Sequence, residues 1–311
     1  MQSLWMLFAS FVFAIMGVCV KLASSLYSTA EIVMYRGLVG TVFMFAFVKL
    51  HRGSFRTAFP WEHVWRGVVG VIALGLWFHA IGELPLPAAM TLNYMSPVWI
   101  AAILFAASWW RRRKSGDAHF EWGLTAAIVM SFVGVTMLLR PAFQSDQWLA
   151  ASVGLLSGFL SALAYLQVRH LGQLGEPEYR VVFYFSVTGL IAGLIGAFVP
   201  GLVGAAPTVW HAHTPKGLAL LFGVGITATV AQIAMTRAYR YGKTLVTANL
   251  QYTGIVFSSF WGVVLWQDAL GWLGWAGIAV ILVSGMAATV YNARNATTRI
   301  EKETDPISAE L

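Results

Sequence analysis

The stretch LPLPAAMTLNYMSPVWIAAILF, residues 84–105, is long enough to cross a bilayer as a helix. Its first half nonetheless carries Pro85, Pro87, Thr91, Asn93, Tyr94, Ser96 and Pro97. Polar groups and a helix-breaking proline stand where lipid would be. A second stretch, KTLVTANLQYTGIVFSSFWGVVL at 243–265, repeats the pattern. At a shift of 158 positions, Leu92-Asn93-Tyr94 falls on Leu250-Gln251-Tyr252 and Trp99 falls on Phe257.

The composition around these stretches is that of a membrane protein. Of 311 residues, 58% are hydrophobic and 11% charged, and the mean hydropathy is +0.70. Soluble domains average about 25% charged residues, so a water-facing surface is excluded. Cys19, the single cysteine, can neither form an internal disulfide nor belong to a cysteine metal site. The net charge of +7 sits in short loops between apolar runs, a topology signal rather than a nucleic-acid surface.

Ten apolar segments have the length of a transmembrane helix: 3–23, 30–50, 66–83, 86–109, 121–140, 149–170, 180–200, 217–239, 244–266 and 271–291. The first is read as a retained span, because no basic residue precedes it and Lys21 closes it. Lysine and arginine placement orients the set. With a cytoplasmic N-terminus, the cytoplasmic side carries Lys49, Arg52, Arg56, Arg66, the run RRRK at 111–114, Arg169, Arg180, Arg237, Arg240, Lys243, Arg294, Arg299 and Lys302. Lys21, Arg140 and Lys216 stand opposite, and Arg36 lies within a helix. Both termini are therefore expected in the cytoplasm, with 293–311 a disordered tail.

The repeat extends along the chain. Ala14 and Val20-Lys21 match Ala162 and Val168-Arg169 at a shift of 148, and Gly134 matches Gly285 at 151. Two five-helix halves, 1–140 and 141–292, are expected. An odd number of spans inserts the second half upside down, giving an all-α integral membrane fold of inverted-topology repeats around a central cavity. Secondary transporters commonly use this build, with substrate near the midplane where helices are broken. Pro97 removes a backbone hydrogen bond and frees a carbonyl near Asn93.

Helical spacing puts Met90, Asn93, Tyr94 and Pro97 on one face, and Ala248, Gln251, Tyr252 and Ile255 on another. These are the first candidates for contact with substrate. Asn93 and Gln251 offer donors and acceptors to it; the alternative is an interhelical hydrogen bond worth roughly 0.6–2 kcal/mol. His79, one turn before Glu83, is a candidate for substrate contact or proton coupling, and Gln232 for lining the cavity. Arg36 either binds a substrate carboxylate or pairs with Glu31. Lys21 is either an outer-gate charge or a snorkelling side chain. Gly189 and Gly193 form a GxxxG helix contact.

These segments resemble the drug/metabolite transporter superfamily, and within it the EamA-type ten-helix permeases. The resemblance covers about residues 3–291. It is carried by Lys21, EIVMYRGLVG with Arg36, AIGELPLPAAMTLNYMSPVW, RAYRYGKTLVTANLQYTGIVF and LWQDALGWLGWAGIAVILVSGM. Within the group it is similar to exporters of amino acids, including aromatic ones. It implies peripheral helices 5 and 10 and export of small metabolites across the cytoplasmic (inner) membrane. The basic loop after helix 4 departs from the acidic turn common there, whereas WQDAL keeps an acidic residue. Pro97 has no counterpart at Ile255, so the two gates are expected to differ.

No nucleophile–base pair, paired carboxylates or metal cluster supports an integral-membrane enzyme. No GxxxxGK[ST] loop supports ATP-driven transport, and no cofactor is expected. A channel, or a transporter of nucleosides or sugars, is the remaining alternative to amino-acid export.

Overall fold

The computed structural model describes residues 4–115, 147–202, 211–242, 250–267 and 271–280, with scattered positions between and beyond them. Among the described residues all regular structure is helical. The helices are α1 (Trp5–Ala23), α2 (Thr29–Leu50), α3 (Pro60–Glu83), α4 (Leu86–Asn93), α5 (Ser96–Ser115), α6 (Trp148–Gln173), α7 (Glu178–Leu202), α8 (Pro215–Tyr241) and α9 (Thr253–Trp266). Seven helical segments are long and apolar enough to cross a membrane, and Thr253–Trp266 and Trp272–Ser284 are shorter apolar helices. The expected span at 121–140 falls largely outside the described residues, as do Ala248 and Asp268. Outward faces are apolar: Val42 is 60% exposed, Ile72 51% and Phe222 61%. Such surfaces are stable in lipid, and the chain is a multi-pass membrane protein.

Two compact units divide the chain, and each draws on both halves of the sequence. One comprises 1–96 and 143–269, the other 97–142 and 270–311. In the first unit α2 packs on α7, α1 on α8 and α3 on α6, while α4 packs on α6, α9 on α1, and α4 on α9. Small residues allow these approaches. A Cβ on Gly193 would lie 2.5 Å from Met34 Cα, and one on Gly37 2.7 Å from Leu190 Cα. The GxxxG pair is thus a helix contact, with α2 as its partner. In the second unit Ala126 and Met130 meet Ala279, Val280 and Val283 around an apolar cleft.

The opening stretch is two helices. α4 stops at Asn93, Tyr94 and Met95 form a turn, and α5 starts at Ser96 with Pro97 in its first turn. Proline suits that position because its missing N–H would have had no helical partner there. The carbonyls at the break face Gly158 of α6, whose Cβ would stand 2.6 Å from Leu92 O, which accepts from Met95 N, and 3.0 Å from Asn93 O, whose helical donor Pro97 lacks. The second stretch breaks at the matching place: Leu250 and Gln251 are helical, Tyr252 is a turn, and α9 follows.

Sequence and structure differ at α3. It starts at Pro60, not near residue 66, because proline at the first helical position and Glu62 in the first turn favour an earlier start. Arg66, expected at the cytoplasmic start of the span 66–83, therefore lies well inside the helix and is buried.

Candidate functional site

A narrow cavity of about 40 Å³ lies within the first unit. Six helices line it: α1 through Phe13, α2 through Arg36, α3 through Arg66 and Trp77, α6 through Ser161 and Tyr165, α7 through Phe185, and α8 through Gln232. The Arg66 guanidinium carbon is 4.1 Å from the centroid of the Phe185 ring, and that of Arg36 is 4.7 Å from it. Both arginines are 3% exposed. Gly70, at i+4 from Arg66, leaves the room in which Arg66 Nη1 folds back, and Gly189 borders Arg36 Nη1.

Behind the wall stands a network of polar side chains. Asn93 Nδ2 donates to Ser157 Oγ and to Ser161 Oγ, both at 3.1 Å. Gln251 Nε2 donates to Ser96 Oγ at 3.3 Å, and Gln251 Oε1 accepts from the Tyr239 hydroxyl at 3.2 Å. Tyr165 is hydrogen-bonded to both Gln251 and Ser161. Asn93 and Gln251 thus meet through two residues that do line the cavity. Ser10 of α1 adds a 3.4 Å bond to the Gln251 carbonyl.

Of the described sequence candidates, Arg36 and Gln232 line the cavity. Asn93 and Gln251 support its wall from behind. Tyr94 packs against Gly254 of α9 and lies 6.4 Å from Trp77 by ring centroid. Met90 packs beside Gly17 of α1, and Tyr252 and Pro97 are buried. His79 and Glu83 are not brought to this site. Both are exposed, on the stripe of α3 that continues Trp61, Trp65, Val68 and Ile72. Arg36 does not pair with Glu31. Glu31 Oε2 instead accepts from Ser28 N at 2.7 Å in a capping box and from His211 Nδ1 at 2.8 Å. Lys21 Nζ donates to the carbonyls of Gly82 and Leu84, at the C-terminus of α3. Sequence reasoning passed over Arg66, Ser161, Tyr165 and Phe185; the proline that starts α3 was the signal that could have revealed Arg66.

Polar clusters lace both ends of this unit. At one end His211 holds Glu31, while His213 bonds Tyr35 at 2.8 Å and Tyr27 at 3.3 Å. At the other, Glu176 accepts from Arg180 Nη1 at 2.8 Å and from Thr57 at 2.8 Å, and meets His63 Nε2 at 3.2 Å. Burial alone would raise the Glu176 pKa, but the hydrogen bonds from Arg180, Thr57 and His63 outweigh it and hold it below the usual carboxylate value. Arg240 pairs with Glu178 at 3.1 Å beside it.

Comparison with known proteins agrees with this architecture. Residues 1–140 match the EamA-like transporter family. The chain is 31% identical over 284 residues to the pseudopaline exporter CntI of Pseudomonas aeruginosa, covering 90% of this chain and 92% of that protein. It is 25% identical to a riboflavin transporter of Rhizobium johnstonii over 96% of this chain and 93% of the other. An S-adenosylmethionine uptake transporter of Rickettsia bellii is 18% identical over 86% of each. A solved crystal structure superposes with a TM-score of 0.64 at 16% identity, covering 93% of this chain and 98% of that one, a likeness of fold. These likenesses point to a transporter rather than an enzyme, and the chain belongs to the EamA-like transporter family of the drug/metabolite transporter superfamily.

Proposed function

We propose that the protein is a secondary transporter that exports amino acids or similar small metabolites across the cytoplasmic membrane by alternating access. The observation that carries this reading is the cavity itself. Helices from both halves of the chain line it, buried donors without partners face it, and polar clusters lace the bundle at either end. At about 40 Å³ it admits water but no metabolite. Helices must part for substrate to enter, and the separable contacts lie at the two ends. A channel would need a continuous path instead.

The packing supports a ten-helix inverted repeat, and the placement of lysine and arginine supports both termini in the cytoplasm. Exchanging α1 with α6, α2 with α7, α3 with α8 and α4 with α9 turns each principal contact into another: α1·α8 becomes α6·α3, α1·α9 becomes α6·α4, and α2·α7 and α4·α9 map onto themselves. In this reading Arg36 and Gln232 touch substrate, and Asn93 and Gln251 position Ser161 and Tyr165. The breaks beside Tyr94, Pro97 and Tyr252 supply the flexing points. Amino acids stand within the wider metabolite range that the relatives' names indicate.

Purified full-length protein in liposomes, offered a panel of labelled amino acids, nucleosides and sugars, tests this. Saturable counterflow of at least one class is expected. Non-saturable flux would indicate a channel, and absence of flux across the whole panel would overturn export of such metabolites.

A further inference from the structure

The cavity has an unusual chemical bias. Arg36 Nε and Nη1, Arg66 Nε and Nη1, Trp77 Nε1 and Gln232 Nε2 are buried there without hydrogen-bond partners. Every one of these is an N–H donor. No aspartate or glutamate is among the lining residues. Two guanidinium groups therefore share one ring, Phe185, with nothing anionic beside them.

Other cations in this protein show what a structural role looks like. Lys21 caps two carbonyls, Arg180 takes Glu176 and the Ser54 carbonyl, and Arg240 takes Glu178 and the Gly175 carbonyl. Each has anionic or carbonyl oxygen. Arg36 and Arg66 have only an aromatic face, a weaker partner than anionic or carbonyl oxygen, and it does not repay the cost of burying two ions. The deficit points to an oxygen-rich anion from outside. Guanidinium forks match carboxylate and phosphate alike.

We propose that Arg36 and Arg66 form a two-point site for a substrate bearing two carboxylates or a phosphate monoester, with Trp77 and Gln232 donating to its remaining oxygens. This rests on the transporter reading above and narrows its substrate class away from neutral zwitterions. It also supplies a reason for closure. Two cations repel one another when the helices close on an empty site, and two carboxylates or a phosphate between them remove that repulsion, so the substrate favours the closed arrangement by its differential affinity.

The test uses the purified full-length protein with four probes: glutamate, succinate, glucose 6-phosphate and glutamine. Thermal unfolding in detergent is expected to show a higher midpoint with glutamate and succinate, or with glucose 6-phosphate, and no shift with glutamine. The arm that responds identifies the anion as carboxylate or phosphate. Arg36→Gln and Arg66→Gln should each weaken the response at least tenfold in probe concentration. Arg36→Lys and Arg66→Lys, which keep the charge, guard against a folding defect, and should retain part of the response. A shift with glutamine equal to that with glutamate, no shift with any anion, or an anion shift unchanged in both Gln variants would overturn the proposal. Uptake into liposomes separates the two readings. Anion binding without transport would leave the site and remove the transporter. Equal glutamine transport by wild type and Gln variants would leave the transporter and remove the site.

Discussion

Lys21 Nζ donates to the Leu84 carbonyl at 2.5 Å and to the Gly82 carbonyl at 3.0 Å, so a side chain from α1 caps the end of α3. A cation at a helix C-terminus satisfies carbonyls that the helix leaves open and opposes the negative end of its dipole. Replacing it with methionine removes bonds worth about 1–3 kcal/mol together. Lys21→Met should lower the unfolding midpoint by several degrees, while Lys21→Arg should recover much of the loss. Thermal unfolding in detergent measures both.

The break after Asn93 depends on a glycine opposite it. A methyl group on Gly158 would stand 2.6 Å from the Leu92 carbonyl oxygen, and backbone cannot move aside as a side chain can. Gly158→Ala is expected to cut the yield of monodisperse protein severely. Gly75 on α3 has nothing within 4 Å of its would-be Cβ, and Gly75→Ala should be tolerated. Fluorescence-detected size-exclusion chromatography of the two variants compares them directly.

Glu176 gives one end of the bundle a pH dependence with a definite sign. Its pKa is lowered on folding, so its stabilising contribution is present above 4.5 and is lost as pH falls through the folded value. The wild-type unfolding midpoint should exceed that of Glu176→Gln at pH 7, and the gap should narrow below pH 4.5. A gap independent of pH would mean that shape, not charge, holds His63, Thr57 and Arg180 together.

His79 stands on the exposed stripe of α3 with Glu83, away from the cavity. Transport measured from about pH 5.5 to 8 should give superimposable profiles for wild type and His79→Gln. A displaced profile would return His79 to the coupling pathway.

The sequence exposed the two polar stretches, their recurrence and the buried Arg36 and Gln232, because charge and amide groups inside apolar runs are conspicuous. It did not disclose which faces turn inward. The spacing that joined Met90, Asn93, Tyr94 and Pro97 holds for an unbroken helix, and the turn at Tyr94 and Met95 ends that register. His79 was misplaced for another reason. In a membrane the outside is as apolar as the core, so Trp65, Val68 and Ile72 mark an outer stripe that hydrophobicity cannot tell from an inner one. Arg66 was hidden by six residues of helix, from Pro60 onward, whose polar Glu62 and His63 read as loop.

The cavity draws Phe13, Arg36, Arg66 and Trp77 from the first half of the chain, and Ser161, Tyr165, Phe185 and Gln232 from the second. Neither half carries the whole cavity; the first has the cations without the ring they share, the second the ring without its cations. Each half thus depends on the other to complete the proposed site, and neither half expressed alone is expected to bind an anion.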